Sequence, residues 1–479
     1  MLEGLREPGA ILVVSCYELG RQPVAAASAL AEVARAGFSP GVLDVSVESL
    51  DEAALRRARL IAISVPMHTA LRLGVRVAAR ARAINPEAHL CLFGLYAALN
   101  CEHLLAHHCD SAIGGESDEP LRLLAEALEQ GGPAESIEGV ATRPHPELSL
   151  PRKNSRGTAL PVRSALPALG RYARLTDGSP GPGKLVASVE ATRGCRHLCR
   201  HCPIVPVYRG RFVAVPRETV LADIEQQVAA GAGHVSFGDP DFFNGPTHAL
   251  KIAEELHARW PQLSFDATIK IEHLLLHRAL LPQLAQAGCL FITSAVESLN
   301  EAVLGALDKG HTAADVPVAL RLVRSAGIDL RPTLLPYTPW TLLADLPALF
   351  DFAEEHQLEE QIDPVQYALR LLIPPGSAVL ELPGEKPWLR ELQPDQFGWR
   401  WQHEDARVDA LCAESAALLQ EHATAERDAG ETLGALRALA ERAVGRKGSA
   451  TSSAAGSASR QSKSRPRGKV PRLTEPWFC

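Results

Sequence analysis

The sequence predicts an α/β protein built from two successive sheet domains. Apolar strand-like runs alternate with helix-like segments between residues 10 and 130, and a second such series follows from residue 185 to residue 371. Between the two series, residues 136–184 are rich in proline, glycine, serine and arginine, which is typical of a linker. At 479 residues the chain exceeds what one hydrophobic core usually supports, so two domains with appendages are expected.

The first domain, residues 1–135, contains five apolar runs that predict strands. They span residues 11–14, 41–45, 60–63, 89–93 and 111–113. Such a repeat predicts a doubly wound parallel sheet, in which ligands bind beyond the carboxyl ends of the strands. The loops expected at that edge contain Ser64, Gly94, Gly114 and Gly115. No GxGxxG or GxxxxGK(S/T) motif accompanies the runs, so a nucleotide ligand has no motif support.

Three cysteines in a CxxxCxxC pattern follow the next strand-like run, at residues 185–190. They are Cys195, Cys199 and Cys202. An odd trio cannot pair off internally as disulfides. A structural zinc ion needs four ligands, and His197 or His201 could supply the fourth. A four-iron cluster bound through three of its irons needs only the three thiolates and leaves the fourth iron open.

On this motif the chain resembles the radical S-adenosylmethionine (SAM) enzymes, which carry CxxxCxxC after the first strand of a β/α barrel. The resemblance implies a six-stranded partial TIM barrel over residues 185–383 and a 4Fe-4S cluster on the three cysteines. It also implies that the open iron chelates SAM. One electron from a flavodoxin- or ferredoxin-type reductase would then release a 5′-deoxyadenosyl radical. His201, before the third cysteine, departs from the family pattern, in which that residue is often aromatic.

The loop after the second barrel strand contains Gly238, Asp239 and Asp241. In the radical SAM family the corresponding loop, typically Gly-Gly-Glu, bonds the SAM amino group, so the resemblance implies that role for these three residues. A carboxylate is a suitable partner for an ammonium group. The alternative is a tight turn with Asx hydrogen bonding.

The third and fourth barrel strands supply the remaining candidates. The third ends at Thr268, a candidate SAM contact, and Lys270 follows. Lys270 could reach the SAM carboxylate or a substrate anion as a catalytic residue, or it could be a solvated lysine. The fourth strand, at 290–296, leads to Glu297, a candidate ribose or substrate contact. Strands at 328–334 and 365–371 are predicted to complete the partial barrel.

A flavodoxin- or Rossmann-like domain directly before such a barrel resembles the cobalamin-binding subfamily of radical SAM enzymes. The Gly-Gly-Glu-Ser-Asp-Glu stretch at 114–119 resembles the loop that closes that domain, and the pattern from Glu297 to the Lys-Gly pair at 309–310 resembles cobalamin-type barrels. Two features depart from the subfamily. No Asp-x-His-x-x-Gly follows the first strand, and Gly94-Leu-Tyr replaces a paired glycine. Cobalamin is therefore expected without a histidine ligand, or the domain is a relic that binds none.

The C-terminal part is predicted to be a region of aromatic residues and helices at 384–445, followed by a disordered basic linker at 446–472. Three tryptophans between residues 388 and 401 predict a hydrophobic core that caps the open end of the barrel. The alternative is that they form a wall of the substrate site. Cys412 lies in a helical context and is expected to be buried.

The last segment, residues 473–479, ends in Glu-Pro-Trp-Phe-Cys. It resembles the radical SAM group named for a Cys-Sec-Ala-Glu-Pro or Cys-Cys-Ala-Glu-Pro tail. The resemblance suggests truncation at a selenocysteine codon and assigns Cys479 a catalytic thiol role. An ordinary terminal cysteine is the alternative. A disordered linker of about 25 residues spans roughly 25–30 Å, which is enough to return to the barrel mouth.

The bulk properties narrow the function. A net charge of −7 and a pI near 6.2 argue against wholesale nucleic-acid binding. The absence of a signal-like start or a membrane-length apolar run, together with scattered cysteines, predicts a cytoplasmic protein.

We therefore expect a radical SAM enzyme that transfers methyl groups with cobalamin to an unactivated carbon of a small molecule or peptide. The alternatives are methylthiolation or RNA modification, a non-methylating radical enzyme, and a zinc- or cluster-bearing sensor. The RNA methylthiotransferases carry three further ligating cysteines in their N-terminal domain, a set that Cys16, Cys91, Cys101 and Cys109 do not convincingly form.

Overall fold

The computed structural model describes residues 2–143, 145–146, 148, 159–176, 180–446 and 471–474. The strands are β1 (Ile11–Ser15), β2 (Gly41–Asp44), β3 (Leu60–Ser64), β4 (His89–Phe93), β5 (Ser111–Ile113), β6 (Val140–Thr142), β7 (Arg174–Thr176), β8 (Lys184–Val189), β9 (Thr192–Gly194), β10 (Phe212–Ala214), β11 (His234–Phe237), β12 (Ser264–Thr268), β13 (Cys289–Glu297), β14 (Asp329–Leu334), β15 (Leu389–Gln393), β16 (Gly398–Trp401) and β17 (Arg472–Leu473).

The helices complete the list of elements. They are α1 (Val24–Arg35), α2 (Glu52–Arg57), α3 (His68–Ile84), α4 (Leu95–Leu99), α5 (Cys101–His107), α6 (Asp118–Gln130), α7 (Ile204–Tyr208), α8 (Arg217–Ala229), α9 (Pro246–Arg259), α10 (Ile271–Leu276), α11 (Leu281–Gln286), α12 (Glu301–Leu307), α13 (Asp315–Ser325), α14 (Asp345–Glu355), α15 (Ala406–Thr424) and α16 (Ala429–Ala443). No helix in the described ranges is both long enough and apolar enough to span a membrane.

The N-terminal domain is the predicted doubly wound sheet, in the order β2-β1-β3-β4-β5-β6. The first five strands run parallel, and all five coincide with predicted runs to within a residue at either end. Helices α1 and α6 pack on one face, while α2 to α5 pack on the other. The sixth strand, β6, pairs antiparallel with β5, so the sheet continues past residue 135 into the segment predicted to be linker.

Ion pairs and hydrogen bonds fasten the rest of that segment to both domains. Arg163 makes a bidentate ion pair with Asp223 of α8, with N–O distances of 2.8 and 2.7 Å. The Tyr172 hydroxyl donates to Asp44 at the end of β2 over 2.8 Å. The segment is therefore a packed connection in its described parts rather than a free tether.

The second sheet has the order β14-β13-β12-β11-β8-β7-β17. Its five strands β8, β11, β12, β13 and β14 are parallel and form a curled half-barrel whose core is closed by the surrounding helices. Strands β7 and β17 extend it antiparallel at the β8 edge.

The sixth barrel strand predicted at 365–371 is not a strand. Pro364–Ala368 forms a 3-10 turn, and a single parallel bridge joins Tyr337 to Arg370. The reason is visible at the edge of β14, where the Gln366 side chain accepts a hydrogen bond from the Leu334 amide over 3.0 Å. A side-chain amide thus replaces the backbone partner that a sixth strand would supply.

The tryptophans of the C-terminal region belong to a hydrophobic core, which is the first of the two interpretations drawn from the sequence. Trp388 and Trp401 are 5% exposed and pack with Leu371, Ile373 and Val379 at the end of the half-barrel. The Trp401 indole donates to the Leu371 carbonyl over 2.7 Å. Helices α15 and α16 pack against the barrel core, and Cys412 is buried there as predicted.

Candidate active site

A cavity of about 480 Å³ lies where the two sheets meet. Its lining comes from the carboxyl-end loops of the N-terminal sheet, including Glu18, Met67, Gly94 and Gly115, and from the barrel mouth. The barrel residues in the lining include Glu190, Gly238, Asp239, Thr268 and Arg331. Loops from the ligand-binding edges of both domains therefore line one shared cavity, which we call the chamber.

The cysteine loop begins at Gly194, whose backbone adopts φ +75°. A Cβ atom there would collide with the Tyr208 ring and lie 2.7 Å from the Arg211 carbonyl oxygen, so only glycine suits the turn. Strands β9 and β10 form the antiparallel hairpin around this loop. Cys195, Cys199 and Cys202 follow as free thiols.

The three thiols fit a cluster-binding site. Burial raises the pKa of Cys195 to about 12 and that of Cys202 to about 11, and neighbouring cysteine charge contributes to both shifts. Thiols shielded from water in this way gain most from a cation, which binds them as thiolates. The two histidines proposed as a fourth zinc ligand turn to other partners: His197 toward Asp241, and His201 toward Glu297.

Neighbouring elements clamp the middle of the loop. The Arg200 amide donates to the Leu307 carbonyl at the end of α12 over 2.9 Å, and its guanidinium bonds the Gly305 and Ala306 carbonyls. The Ser377 hydroxyl, in the Pro-Pro-Gly-Ser turn, donates to the Arg200 carbonyl over 3.2 Å. These contacts fix the backbone between the second and third cysteines.

Gly238 and Asp239 follow β11 and both line the cavity. The buried Asp239 carboxylate accepts from the Ala191 amide over 2.9 Å and from the Thr192 hydroxyl over 2.6 Å. Burial raises its pKa to about 7 in spite of these hydrogen bonds. Asp239 therefore braces the start of the cysteine loop while its carboxylate borders the chamber.

Asp241 and Lys270 do not face the chamber. The Asp241 carboxylate lies 2.9 Å from Nδ1 of His273 and 3.4 Å from Nε2 of His197. Lys270 Nζ lies 2.9 Å from Glu272 and 3.2 Å from Nδ1 of His197. Lys270 is thus a buried, paired residue rather than a solvated lysine. Thr268, at the end of β12, does line the chamber.

Glu297 adopts φ +64°, a conformation that is uncommon for residues other than glycine and that recurs at functional sites. Its carboxylate lies 3.1 Å from Lys309 Nζ and 3.3 Å from His201 Nε2. Burial alone would raise the pKa of Glu297, but Lys309 and His201 hold it at about 2. The residue is a fixed anion beside the third cysteine, and Lys309 belongs to the Lys-Gly pair that the sequence had singled out.

The N-terminal edge has features of a ligand cradle. The Ser64 hydroxyl is fully buried at the end of β3 and lacks a hydrogen-bond partner among the described residues. Gly94, at φ +115°, and Gly115, at φ +68°, bring bare backbone to the chamber. Gly114 differs, because a Cβ there would lie 2.6 Å from that of Ala98, so this glycine serves packing. Ser64 itself does not line the chamber, so the bare backbone at Gly94 and Gly115 is the feature that fits a large cofactor such as cobalamin.

Arg193 and Glu18 are site residues that sequence reasoning missed. Arg193 lies 2.8 Å from Asp118 and 3.2 Å from Glu116 of the N-terminal domain, and 2.9 Å from Glu190. It therefore joins the 114–119 loop to the barrel mouth. Glu18 borders the chamber, and burial raises its pKa to about 8. The acidic stretch after β5 was a signal for Arg193, since buried carboxylates need a cation.

The chain returns to the chamber near its end. Arg472 and Leu473 pair with β7, the Arg331 guanidinium donates to the Pro471 carbonyl over 3.1 Å, and Leu473 lines the cavity. Cys479, the predicted thiol, lies outside the described residues, as does most of the predicted disordered linker.

Comparison with known proteins agrees with this geometry. The family model of the radical SAM superfamily matches residues 189–346. The cobalamin- and cluster-bound radical SAM methyltransferase TsrM of Kitasatospora setae superposes with a TM-score of 0.62 at 16% identity over 81% of each chain. The cobalamin-dependent SAM radical enzyme OxsB superposes with a TM-score of 0.66 at 14% identity, over 86% of this chain and 67% of that one.

The sequence relatives align with only a part of this chain. The tRNA-2-methylthio-N(6)-dimethylallyladenosine synthase of Pelodictyon phaeoclathratiforme is 28% identical over 190 residues, which is 36% of this chain and 39% of that protein. The synthase of Fusobacterium nucleatum is 40% identical over 78 residues, 17% of its length. The chain thus spans well under half of these curated relatives. The radical SAM family match thus covers most of the barrel, and the chain as a whole shares the two-domain fold of TsrM and OxsB.

Proposed function

We propose that this protein is a radical SAM enzyme that uses cobalamin to transfer a methyl group to an unactivated carbon of a small molecule or peptide. The observation that carries the proposal is the shared chamber. Gly94 and Gly115 of the N-terminal sheet line the same cavity as Gly238 and Asp239 of the barrel. A cofactor held by the first domain would therefore lie directly against the SAM site of the second.

The residues of the chain divide between the three cofactors. The three cysteines would hold the cluster, Gly238 and Asp239 would border SAM, and the loops at Ser64, Gly94 and Gly115 would hold cobalamin. When bound, the cluster and SAM supply an organic radical, and cobalamin supplies a transferable methyl group. A flavodoxin- or ferredoxin-type reductase would provide the electron.

The protein's own contribution is to position charged groups around the chamber and to hold the two domains together. Glu297 and Lys309 form a buried ion pair beside the cysteine loop, which fixes that loop electrostatically. Asp239 offers a carboxylate to an ammonium group at the chamber wall. Arg193 ties the 114–119 loop to the barrel mouth at the edge of the chamber.

Methylthiolation is the second candidate, and the partial similarity to the tRNA methylthio synthases favours it. Such chemistry would call for cysteines at the N-terminal edge of the chamber. Cys16, Cys91, Cys101 and Cys109 are all buried, and within the described part of the chain none of them lines the chamber. Their placement supports the cobalamin alternative.

Corrinoid retention tests the proposal. Wild-type protein from cobalamin-supplied cells should purify anaerobically with bound corrinoid, and Met67→Trp, which fills the chamber from the N-terminal side, should lower the bound fraction several-fold. Leu342→Trp, at a residue 62% exposed and outside the chamber, is the matched control. Wild-type protein without corrinoid, and unable to bind added hydroxocobalamin, would contradict the proposal and favour a relic domain.

A further inference from the structure

Two histidines and an aspartate converge beside the cysteine loop, outside the chamber lining. His197 lies between the first two cysteines, Asp241 follows β11, and His273 lies on α10. The Asp241 Oδ2 atom lies 2.9 Å from His273 Nδ1 and 3.4 Å from His197 Nε2, and the two nitrogens are 3.4 Å apart. The cysteine loop, the loop after β11 and helix α10 thus each contribute one atom that can bind a metal ion, and the three atoms form a small triangle.

Hydrogen bonding alone leaves this triangle unsatisfied. Asp241 Oδ2 is buried and receives no aligned hydrogen bond from the described residues, although His273 Nδ1 is only 2.9 Å away. The two imidazole nitrogens share one long contact at 3.4 Å, and neither is aligned to donate a hydrogen bond to Asp241 Oδ2. Burial makes such an arrangement costly, because the side chains of His273 and Asp241 are only 3% and 2% exposed.

A divalent cation resolves the conflict, since it accepts all three lone pairs at once. The point equidistant from the three atoms lies about 1.9 Å from each. An ion with bonds of about 2.1 Å would therefore lie about 0.9 Å out of the triangle plane, with its remaining coordination position on the open side. Two imidazoles and one carboxylate form a ligand set that suits Zn²⁺ and other divalent transition metals.

The surroundings provide outer partners for the histidines. If Nε2 of His197 binds metal, its Nδ1 carries the proton and can donate to the Glu272 carboxylate, 3.6 Å away, once the Lys270 ammonium, 3.2 Å from Nδ1, turns aside. Lys270 then keeps Glu272 as its partner at 2.9 Å. The His277 ring packs on His273 with centroids 5.4 Å apart and holds its orientation.

We propose that His197, Asp241 and His273 bind a divalent transition-metal ion, with Zn²⁺ as the first candidate, at a site separate from the three-cysteine cluster. The ion would tie the cysteine loop to the loop after β11 and to α10. It would act as a positioning element for the wall of the SAM site, with no electron or group transfer at the metal. The inference does not depend on whether cobalamin or methyl transfer is involved.

Zinc binding to the full-length, anaerobically cluster-loaded protein tests this site, because the cysteines are then already occupied. Equilibrium dialysis with Zn²⁺, followed by elemental analysis, should give one zinc per chain for the wild type. His273→Ala and the isosteric Asp241→Asn should each weaken binding by more than about 100-fold, since loss of an outer partner alone costs about 10–100-fold. His257→Ala, which changes a histidine on α9 outside this triangle, should retain one zinc.

The visible absorption of the cluster in each variant shows whether the loop is still folded. Wild-type protein that takes up no zinc while its cluster is intact would overturn the proposal. So would His273→Ala and Asp241→Asn variants that bind zinc like the wild type with intact clusters. Sulfur ligands in the zinc X-ray absorption spectrum would also overturn it, because they would assign the ion to the cysteines.

Discussion

Replacement of Arg193 is the strongest test of how the two domains are joined. Its guanidinium lies 2.8 Å from Asp118 and 3.2 Å from Glu116, and the three side chains are only 15%, 11% and 11% exposed. Arg193→Met keeps the length of the side chain but leaves two carboxylates of the N-terminal domain shielded from water without their cation. We expect the 114–119 loop to detach from the barrel mouth more readily.

The expected magnitude follows from the burial. Removing one partner of a buried ion pair costs about 3–5 kcal/mol, because the remaining charge is uncompensated. Each 1.4 kcal/mol corresponds to a factor of ten, so local opening should become about 10²- to 10⁴-fold more frequent. Native-state hydrogen exchange at the amides of residues 111–121 reports this opening directly.

Arg122→Met provides the matched control, because Arg122 lies on α6, the helix that contains Asp118. Arg122 pairs with Glu126 over 2.7 Å in an i,i+4 arrangement with 19% and 30% exposure. Such helix pairs contribute about 0.3–0.5 kcal/mol, so exchange should rise about twofold. Unchanged exchange at 111–121 in Arg193→Met, or equal acceleration in both variants, would refute the reasoning.

Three further predictions concern the barrel. Cys199→Ala should lose the cluster and the formation of 5′-deoxyadenosine from SAM while the protein stays folded, which iron analysis and circular dichroism would check. Because burial raises the pKa of Asp239 to about 7, a SAM ammonium group bound there must displace a proton at lower pH. The Kd for SAM should therefore rise as the pH falls below 7, by up to about tenfold per pH unit. Asp239→Asn should bind SAM more weakly at about pH 7 and lose this dependence, and a wild-type Kd that does not change as the pH falls below 7 would contradict the assignment. Lys309→Met should destabilise the barrel by about 3–5 kcal/mol in denaturant unfolding, because Glu297 stays buried without its lysine, and Lys309→Met combined with Glu297→Gln should recover part of the loss.

Much of the fold was predictable because its strands are short, continuous apolar runs. The five N-terminal strands and β11 to β14 follow such runs closely, since a strand buried on both faces tolerates few polar residues. The cysteine spacing also predicted a loop that follows a strand, and the three cysteines lie after β9 in the structure. These signals are local in sequence, so a single chain reveals them.

The rest depends on contacts between distant residues. The segment at 365–371 has the apolar character of a strand, yet Gln366 bonds the edge of β14 through its side chain, and sequence periodicity carries no sign of that. Asp241 occupies the expected loop, but its side chain turns to His273, 32 residues away. The Arg193 pairs with Glu116 and Asp118 span more than 70 residues, so only the folded chain brings them together.

Cofactor analysis of the anaerobically purified full chain tests the central claim most directly. We predict about four iron and four sulfide per chain, which is the content of one cluster held by three cysteines. We also predict one corrinoid per chain, and formation of 5′-deoxyadenosine when SAM and a reductant are added. Zinc on the cysteines with no sulfide would indicate a structural or sensing protein. About eight iron with no corrinoid would indicate a second cluster, as methylthiolation would need, and either result would contradict the account.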